Sequence, residues 1–279
     1  MGVSVSQEII AMMNEISVPD VQKQRQGIVA LESVLMAADQ VEMPPEQLLH
    51  GGMYVRAVTV PAGTLLTGKI HKYDHIEIMA SGLIAVTTDD GSARILDGFN
   101  VMPALTGKKR AAFAIEETVW ISVTAVGDTG SLTPDEVSDA ITVDTFDDLD
   151  AFYSQISNAD YHHFIASQGW TEEQVQEIVT NEDDLDLGID IEALGLRIDD
   201  SQIHGVGMFT DRPIEEGEKI MTARIGAMRT HAGRYINHAV RANSQFVVTD
   251  EGVDCVATKK IYAGEEITTN YRAQPVEVQ

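Results

Sequence analysis

The chain has 279 residues and a mass of 30.4 kDa, long for one compact unit and suited to two small domains. A hydrophobic fraction of 44% with 23% charged residues excludes wholesale disorder, and no run of about 18 apolar residues is present to cross a membrane. With 44 acidic against 19 basic side chains the net charge is −25, which excludes ordinary nucleic-acid binding, since that needs Lys and Arg to displace phosphate counterions.

The acidity is concentrated. Asp128 to Asp200 holds 20 acids and one base, Arg197, whereas Ser201 to the end holds 10 acids and 9 bases. Such a field attracts basic partners. Cys255 is the only cysteine, so an internal disulfide or a Cys-based zinc site is ruled out. No basic residue precedes Lys23 and no long apolar block opens the chain, so no secretory leader is expected. A reducing, cytoplasmic setting suits the composition.

Residues 1–50 read as a helical arm. Ile9, Ile10, Met12, Met13 and Ile16 recur at helical spacing, as do Ile28, Leu31 and Leu35, and Pro44-Pro45 ends the pattern. Residues 51–127 change to short β-prone runs: VRAVTV, LIAVTT, ARILD and TVWISVTA. Turn residues bound them at Pro61-Ala-Gly63, Ser81-Gly82, Asp89-Asp-Gly91, Asp97-Gly98 and Thr106-Gly107, which predicts an antiparallel sandwich or barrel.

Residues 128–195 form an acidic helical linker segment of two or three short helices. Thr133-Pro-Asp-Glu136 is a helix start with an oxygen cap, proline in the first turn and acids at the positive dipole end. Thr171-Glu-Glu-Gln174 is a capping box ahead of Val175, Ile178 and Val179. His162-His163 fall on a helix. Asn181 to Asp186 reads as a solvated charge run or linker; a calcium loop is the weaker alternative, because the glycine and distal glutamate of an EF-hand are missing. Residues 196–279 return to short, glycine-punctuated strands, including Gln245 to Thr249 and Val253 to Ala257. The fold class expected overall is α+β, mainly β. No internal repeat is present.

Within the first strand region, Gly68-Lys-Ile-His71-Lys-Tyr-Asp-His75-Ile-Glu77 resembles the first motif of cupin barrels, in which two histidines and a glutamate bind metal. Here three residues separate the histidines instead of one. On an uninterrupted strand, positions 71, 75 and 77 would share a face. The second cupin motif normally returns a histidine, but Lys108-Lys-Arg110 stands in its place, where cations would repel a divalent ion and suit a carboxylate or phosphate. Ordinary polar residues of a cupin-like barrel are the preferred reading, with a metal site second and an anion site third. No metal is therefore expected.

In the last region, Ser201-Gln-Ile-His-Gly205-Val-Gly207-Met-Phe209 lacks the third glycine of a dinucleotide fingerprint, Thr210 standing there, and no βαβ unit surrounds it. In order, IHGVGMF, Gly233-Arg-Tyr-Ile-Asn237-His238 and Gly264-Glu-Glu-Ile-Thr-Thr-Asn-Tyr271 resemble the three motifs of the SET domain of protein-lysine methyltransferases, over Leu196 to Arg272. The resemblance implies S-adenosylmethionine as cofactor. Gly205, Val206, Gly207 and Met208 would line it, Asn237 and His238 would hydrogen-bond it, and Arg234 and Tyr235 would shape its pocket. Tyr271 would be the catalytic tyrosine, in a C-terminal segment that the family threads as a pseudoknot. His204 and His231 read as surface polar residues.

Three departures stand out. Ala239 replaces the usual serine, only Met221 to Ala232 precedes the second motif where a larger insert builds the substrate groove, and the cysteine-rich tail is missing. The implied activity is lysine N-methylation of a basic, Lys-containing protein through a minimal groove. The order barrel, acidic helices, short SET region also resembles bacteriophage proteins, which implies the alternative of a non-catalytic virion or assembly component. A small-anion binder is a third reading. Neither nucleic acid nor membrane is an expected partner, and a homo-oligomer through the barrel stays open.

Overall fold

The computed structural model describes residues 2–18, 20–88, 92–179, 188–226, 228–273 and 276–277; the side chains of residues 2–6, 22, 178, 179, 231, 232, 276 and 277 are not described. The turn at Asp89-Asp-Gly91, the run Asn181 to Asp186 with its calcium-loop alternative, and the side chain of His231 lie outside the described residues. The chain forms two compact units, Met1–Leu149 and Asp150–Gln279, dividing inside the acidic segment.

The first unit opens with helices α1 (Gly2–Ile16) and α2 (Val21–Met36), the latter capped by Asp20, whose carboxylate accepts from Lys23 N. Strands follow: β1 (Glu46–His50), β2 (Met53–Val60), β3 (Leu65–Thr67), β4 (Ile70–His71), β5 (His75–Ser81), β6 (Leu83–Thr87), β7 (Ala93–Asp97), β8 (Asn100–Ala104), β9 (Ala111–Ala114) and β10 (Thr118–Ala125). Helix α3 (Pro134–Ile141) and β11 (Thr142–Val143) complete it. One sheet has the order β1-β2-β10-β5-β8 and a second the order β3-β9-β6-β7, with β11 paired to β4. Every pairing in this unit is antiparallel.

The sheets face each other through Met79 of β5, Ile84 and Val86 of β6 and Leu96 of β7, with Trp120 packed against them. The periodic apolar face of the arm covers the second sheet: Met13 meets Ala85 and Phe113, and Ile16, Ile28 and Leu31 meet Ala111. Each such side chain, fully buried, contributes about 1.5–3 kcal/mol. Thr133 and Glu136 form a reciprocal capping box at the start of α3.

Helix α4 (Phe146–Ser167) leads into the second unit and is longer than expected, 22 residues, because acids in its first turn favour its start and no proline or glycine interrupts it. Helix α5 (Glu172–Val179) starts at the expected capping box, with Thr171 N donating to Gln174 Oε1 at 2.8 Å. Strands β12 (Leu196–Asp200), β13 (Val206–Thr210), β14 (Lys219–Ile225) and β15 (Met228–Arg229) precede the short helix α6 (His231–Arg234). Then come β16 (Asn237–His238), β17 (Ser244–Thr249), β18 (Gly252–Ala257), β19 (Glu266–Thr269) and β20 (Val276–Glu277).

The sheet order is β12-β13-β19-β17-β18-β14-β15. Off that path, β16 pairs with β19 and β20 with β17, both in parallel. Leu196, Met208, Ile214, Ile220, Ile236, Cys255, Ile261 and Ile267 make the core. Two parallel bridges, Asn237↔Thr268 and His238↔Thr269, bring the last two motifs side by side, although about 30 residues separate them.

Candidate functional site

In the second unit the glycine hairpin, the Asn-His pair and the closing tyrosine converge on a cavity of about 640 Å³, within the range of ordinary ligand sites. Of the residues anticipated from sequence, Gly205, Val206, Arg234, Tyr235, Asn237, His238 and Tyr271 line it. Gly207 and Met208 do not. Met208 is wholly buried in the core, opposite Ile267, and Gly207 is buried within the β12–β13 hairpin, paired with Asp199. A Cβ at Gly207 would stand 2.2 Å from Glu266 Oε1, so the bare backbone here makes room for a carboxylate of the protein itself.

That carboxylate organises the hairpin. Glu266 accepts from Ser201 Oγ at 2.9 Å and from Asn237 Nδ2 at 2.8 Å. The Asn237 amide also donates to the main-chain carbonyls of His204 at 3.2 Å and Val206 at 3.1 Å. Its nitrogen is thus spent on stitching the second motif to the first, which leaves Oδ1 for any ligand. Burial pushes the Glu266 carboxyl up, against the Asn237 and Ser201 hydrogen bonds that hold it down.

A second network fixes the closing tyrosine. Tyr271 N donates to His238 Nδ1 at 3.1 Å, so the opposite nitrogen carries the proton and donates to Asp160 Oδ2 at 3.0 Å. Asp160 also receives Arg272 Nε at 2.9 Å and 3.0 Å, so one carboxylate on α4 holds the residue facing Tyr271 and the residue after it. The Arg272 hydrogen bond keeps the Asp160 carboxyl low. Burial pulls the His238 imidazole down, opposed by Asp160, and so keeps Nδ1 available as an acceptor.

Although 36% of Tyr271 is exposed, its hydroxyl is engaged, donating to Ile236 O at 2.7 Å. Its ring leans on His238 and meets Tyr161 and Phe164 edge-on. Desolvation pushes the phenol up to about 12, so it is a neutral hydrogen-bonding group at neutral pH. Tyr161, Trp170, Arg224, Arg229 and Phe246 add to the lining. His204 sits on the same cavity, exposed, with Nε2 3.8 Å from Glu172 Oε1. His162 and His163 lie on α4 as anticipated.

Sequence reasoning missed Asp160, Ser201 and Glu266. Glu266 stood inside a quoted motif, and a glycine placed where a carboxylate must approach was its only signal. Asp160 was one acid among twenty and gave none.

The first unit has its own cavity, of about 230 Å³, between the two sheets. The chain bends at 72–74, so His71 on β4 and His75 on β5 do not meet the condition of one uninterrupted strand under which strand alternation would put them on a shared face. Their rings nevertheless stack at 3.8 Å with 21° between planes. Burial lowers the His71 ring to about 4. Glu77 is ion-paired with Arg110, and its Oε1 lies 3.8 Å from His75 Nε2. Among the described residues no group of three or more His, Cys, Asp or Glu is arranged to hold a metal.

A family model for the SET domain matches residues 223–272. The C-terminal part of the chain therefore carries a SET-domain region, and the match holds Arg234 through Tyr271 but not the Gly205–Met208 hairpin or α4. No curated protein matches the sequence. Among solved structures, the chain is similar to a cupin-2 domain protein from Shewanella frigidimarina, at 14% identity over 34% of this chain and 91% of that one, TM-score 0.26. It is also similar to a cupin superfamily protein from Desulfitobacterium hafniense, at 14% identity over 32% and 82%, TM-score 0.27. A third is a conserved protein with a double-stranded β-helix domain from Klebsiella pneumoniae, at 18% over 33% and 84%, TM-score 0.28.

Proposed function

We propose that the second unit binds S-adenosylmethionine in its 640 Å³ cavity and serves methyl transfer to a lysine amine of a basic protein. One observation carries this reading: seven residues singled out from three separate motifs line a single cavity, and Tyr271 stands among them. The residues suit the cofactor. Arg224, Arg229 and Arg234 offer cations to an amino-acid carboxylate, Tyr235 and Phe246 offer apolar faces to a base, and Gly205 leaves open space where a Cβ would stand. When bound, S-adenosylmethionine supplies a methyl group on a sulfonium.

The chain's own part is alignment and exclusion of water. Because the Tyr271 hydroxyl gives its proton to Ile236 O, its lone pairs are left to orient an amine N–H or a positively polarised methyl group. A phenol pushed up to about 12 stays protonated at neutral pH and is not itself the base that deprotonates a lysine. The acidic helices attract a Lys-rich partner through long-range charge.

Calorimetric titration of the full chain with S-adenosylmethionine tests binding. Saturation at one per chain is expected; no heat of binding would support the alternative, a non-catalytic assembly protein that keeps the SET shape. With a Lys-rich acceptor, Tyr271→Phe is expected to lower the transfer rate by about two orders of magnitude, the scale of losing one preorganised hydrogen-bonding group. Unchanged turnover would remove Tyr271 from the chemistry.

A further inference from the structure

The five-stranded sheet of the first unit has its polarity reversed over one stretch. Arg56, Ser122 and Glu77 pair directly across β2, β10 and β5, and all three line the interior cavity. Their neighbours Ala57, Ile121 and Ile78, paired in the adjacent row, take the opposite face by strand alternation, and Ile76 beyond them is 45% exposed. Alternation alone would bury the apolar row and expose the charged one. A break in a local rule without compensation marks a place kept for something other than stability.

The interior is also cationic. In a chain of net charge −25, four of the 19 basic side chains, Arg56, Lys69, Lys108 and Arg110, line this one cavity against a single acid, Glu77. Arg110 binds Glu77 but carries five donors in all. His71 Nδ1 and His75 Nε2 are buried without a hydrogen-bond partner among the described residues, and the His75 side chain is only 3% exposed. Orphaned buried nitrogens of this kind call for a ligand or an ordered solvent molecule. The next inward row is Val58, Trp120 and Met79, and Val60, Ile84, Val86 and Leu66 extend the apolar wall. The cavity therefore has a cationic, hydrogen-bonding part and an apolar part.

The cupin resemblance implies a divalent metal on His71, His75 and Glu77, and this donor set does not fit one. Glu77 already neutralises a guanidinium, and rings stacked 3.8 Å apart aim their in-plane lone pairs alongside each other rather than at a common point. Inorganic phosphate, with four hydrated oxygens and no apolar part, is poorly matched to the apolar wall. We infer that the interior of the first unit binds a small carboxylate with a short apolar tail, its carboxylate held by Arg56 and Arg110 and its tail against Val58, Val60 and Trp120. A volume of about 230 Å³, below the ~300–1,000 Å³ of drug-sized sites, limits the ligand to a few carbons.

Hexanoate titrated into the full chain is the probe. Saturable binding at one per chain is expected, at least about tenfold tighter than acetate, inorganic phosphate or the uncharged hexanamide, with ¹⁵N shifts of the His71 and His75 rings on binding. Arg56→Gln and Arg110→Gln should each weaken it by about tenfold or more. If Arg110→Gln fails to fold for want of its Glu77 pairing, Arg56→Gln and the acid-versus-amide comparison on the unaltered chain decide. No saturable binding by ~10 mM hexanoate, phosphate as tight as hexanoate, or stoichiometric Zn²⁺ or Mn²⁺ on the two histidines would each overturn the assignment.

Discussion

The two units solve the same problem, holding polar groups around a cavity against a β framework, in different ways. In the first, the groups stand on regular strands, and register alone sets which meet: Arg56, Ser122 and Glu77 are neighbours because β2, β10 and β5 are. In the second they come from a helix, turns and short strands, and side-chain hydrogen bonds set their places: Asn237 ties a hairpin to Glu266, and Asp160 ties His238 to Arg272. A site set by register should tolerate loss of one side chain. A site set by side-chain hydrogen bonds should lose its shape.

The sharpest break of this contrast is Asn237→Ala. It removes one of the two side-chain donors to the Glu266 carboxylate and the amide that bridges two main-chain carbonyls, so a loss of about 3 kcal/mol is expected, read as a lower urea midpoint for the second unit. A midpoint unchanged from wild type would show that the hairpin stands without its stitch.

Acid should act on the first unit. The folded state holds His71 neutral down to about 4, whereas the unfolded chain takes up a proton near 6.5. Stability is complete above that upper value and falls as the pH drops from 6.5 towards 4, by up to about 3 kcal/mol. Replacing the ring, as in His71→Gln, should flatten that slope. Thermal midpoints measured across the window, in wild type and variant, check the sign.

Gly207→Ala is expected to cost about 1–3 kcal/mol, because the new methyl would force Glu266 off Ser201 and Asn237. Its melting temperature, compared with that of Gly205→Ala, separates close approach from turn geometry. The smallest effect on stability belongs to Asp160→Asn, about 1 kcal/mol or less, since the pair with Arg272 is partly exposed. Its informative readout is the Tyr271 ring resonance, which should shift if Asp160 positions that segment and stay put otherwise.

Much of this was legible in advance. The strands VRAVTV, LIAVTT, ARILD and TVWISVTA and both caps at Thr133 and Thr171 follow from period and turn residues, whereas the grouping of the three C-terminal motifs was implied only by their family resemblance. The inverted row in the first sheet was not, because alternation fixes which residues share a face but not which face is inside. Asp160 was hidden for another reason: it meets His238 across 78 positions of chain, and no local pattern distinguishes it from the other acids of α4. Glu266 lay within the third motif without a role of its own, and the space left by Gly207 accounts for it.

The reach of Asp160 has a practical corollary for anyone who would excise the C-terminal module. Cutting at Leu196, where the sequence resemblance begins, or at Ala223, where the family match begins, would discard the helix that latches His238 and Arg272. The smallest portable piece thus starts upstream of Asp160, and α4, acid-rich as it is, is masonry of the pocket rather than a tether leading to it.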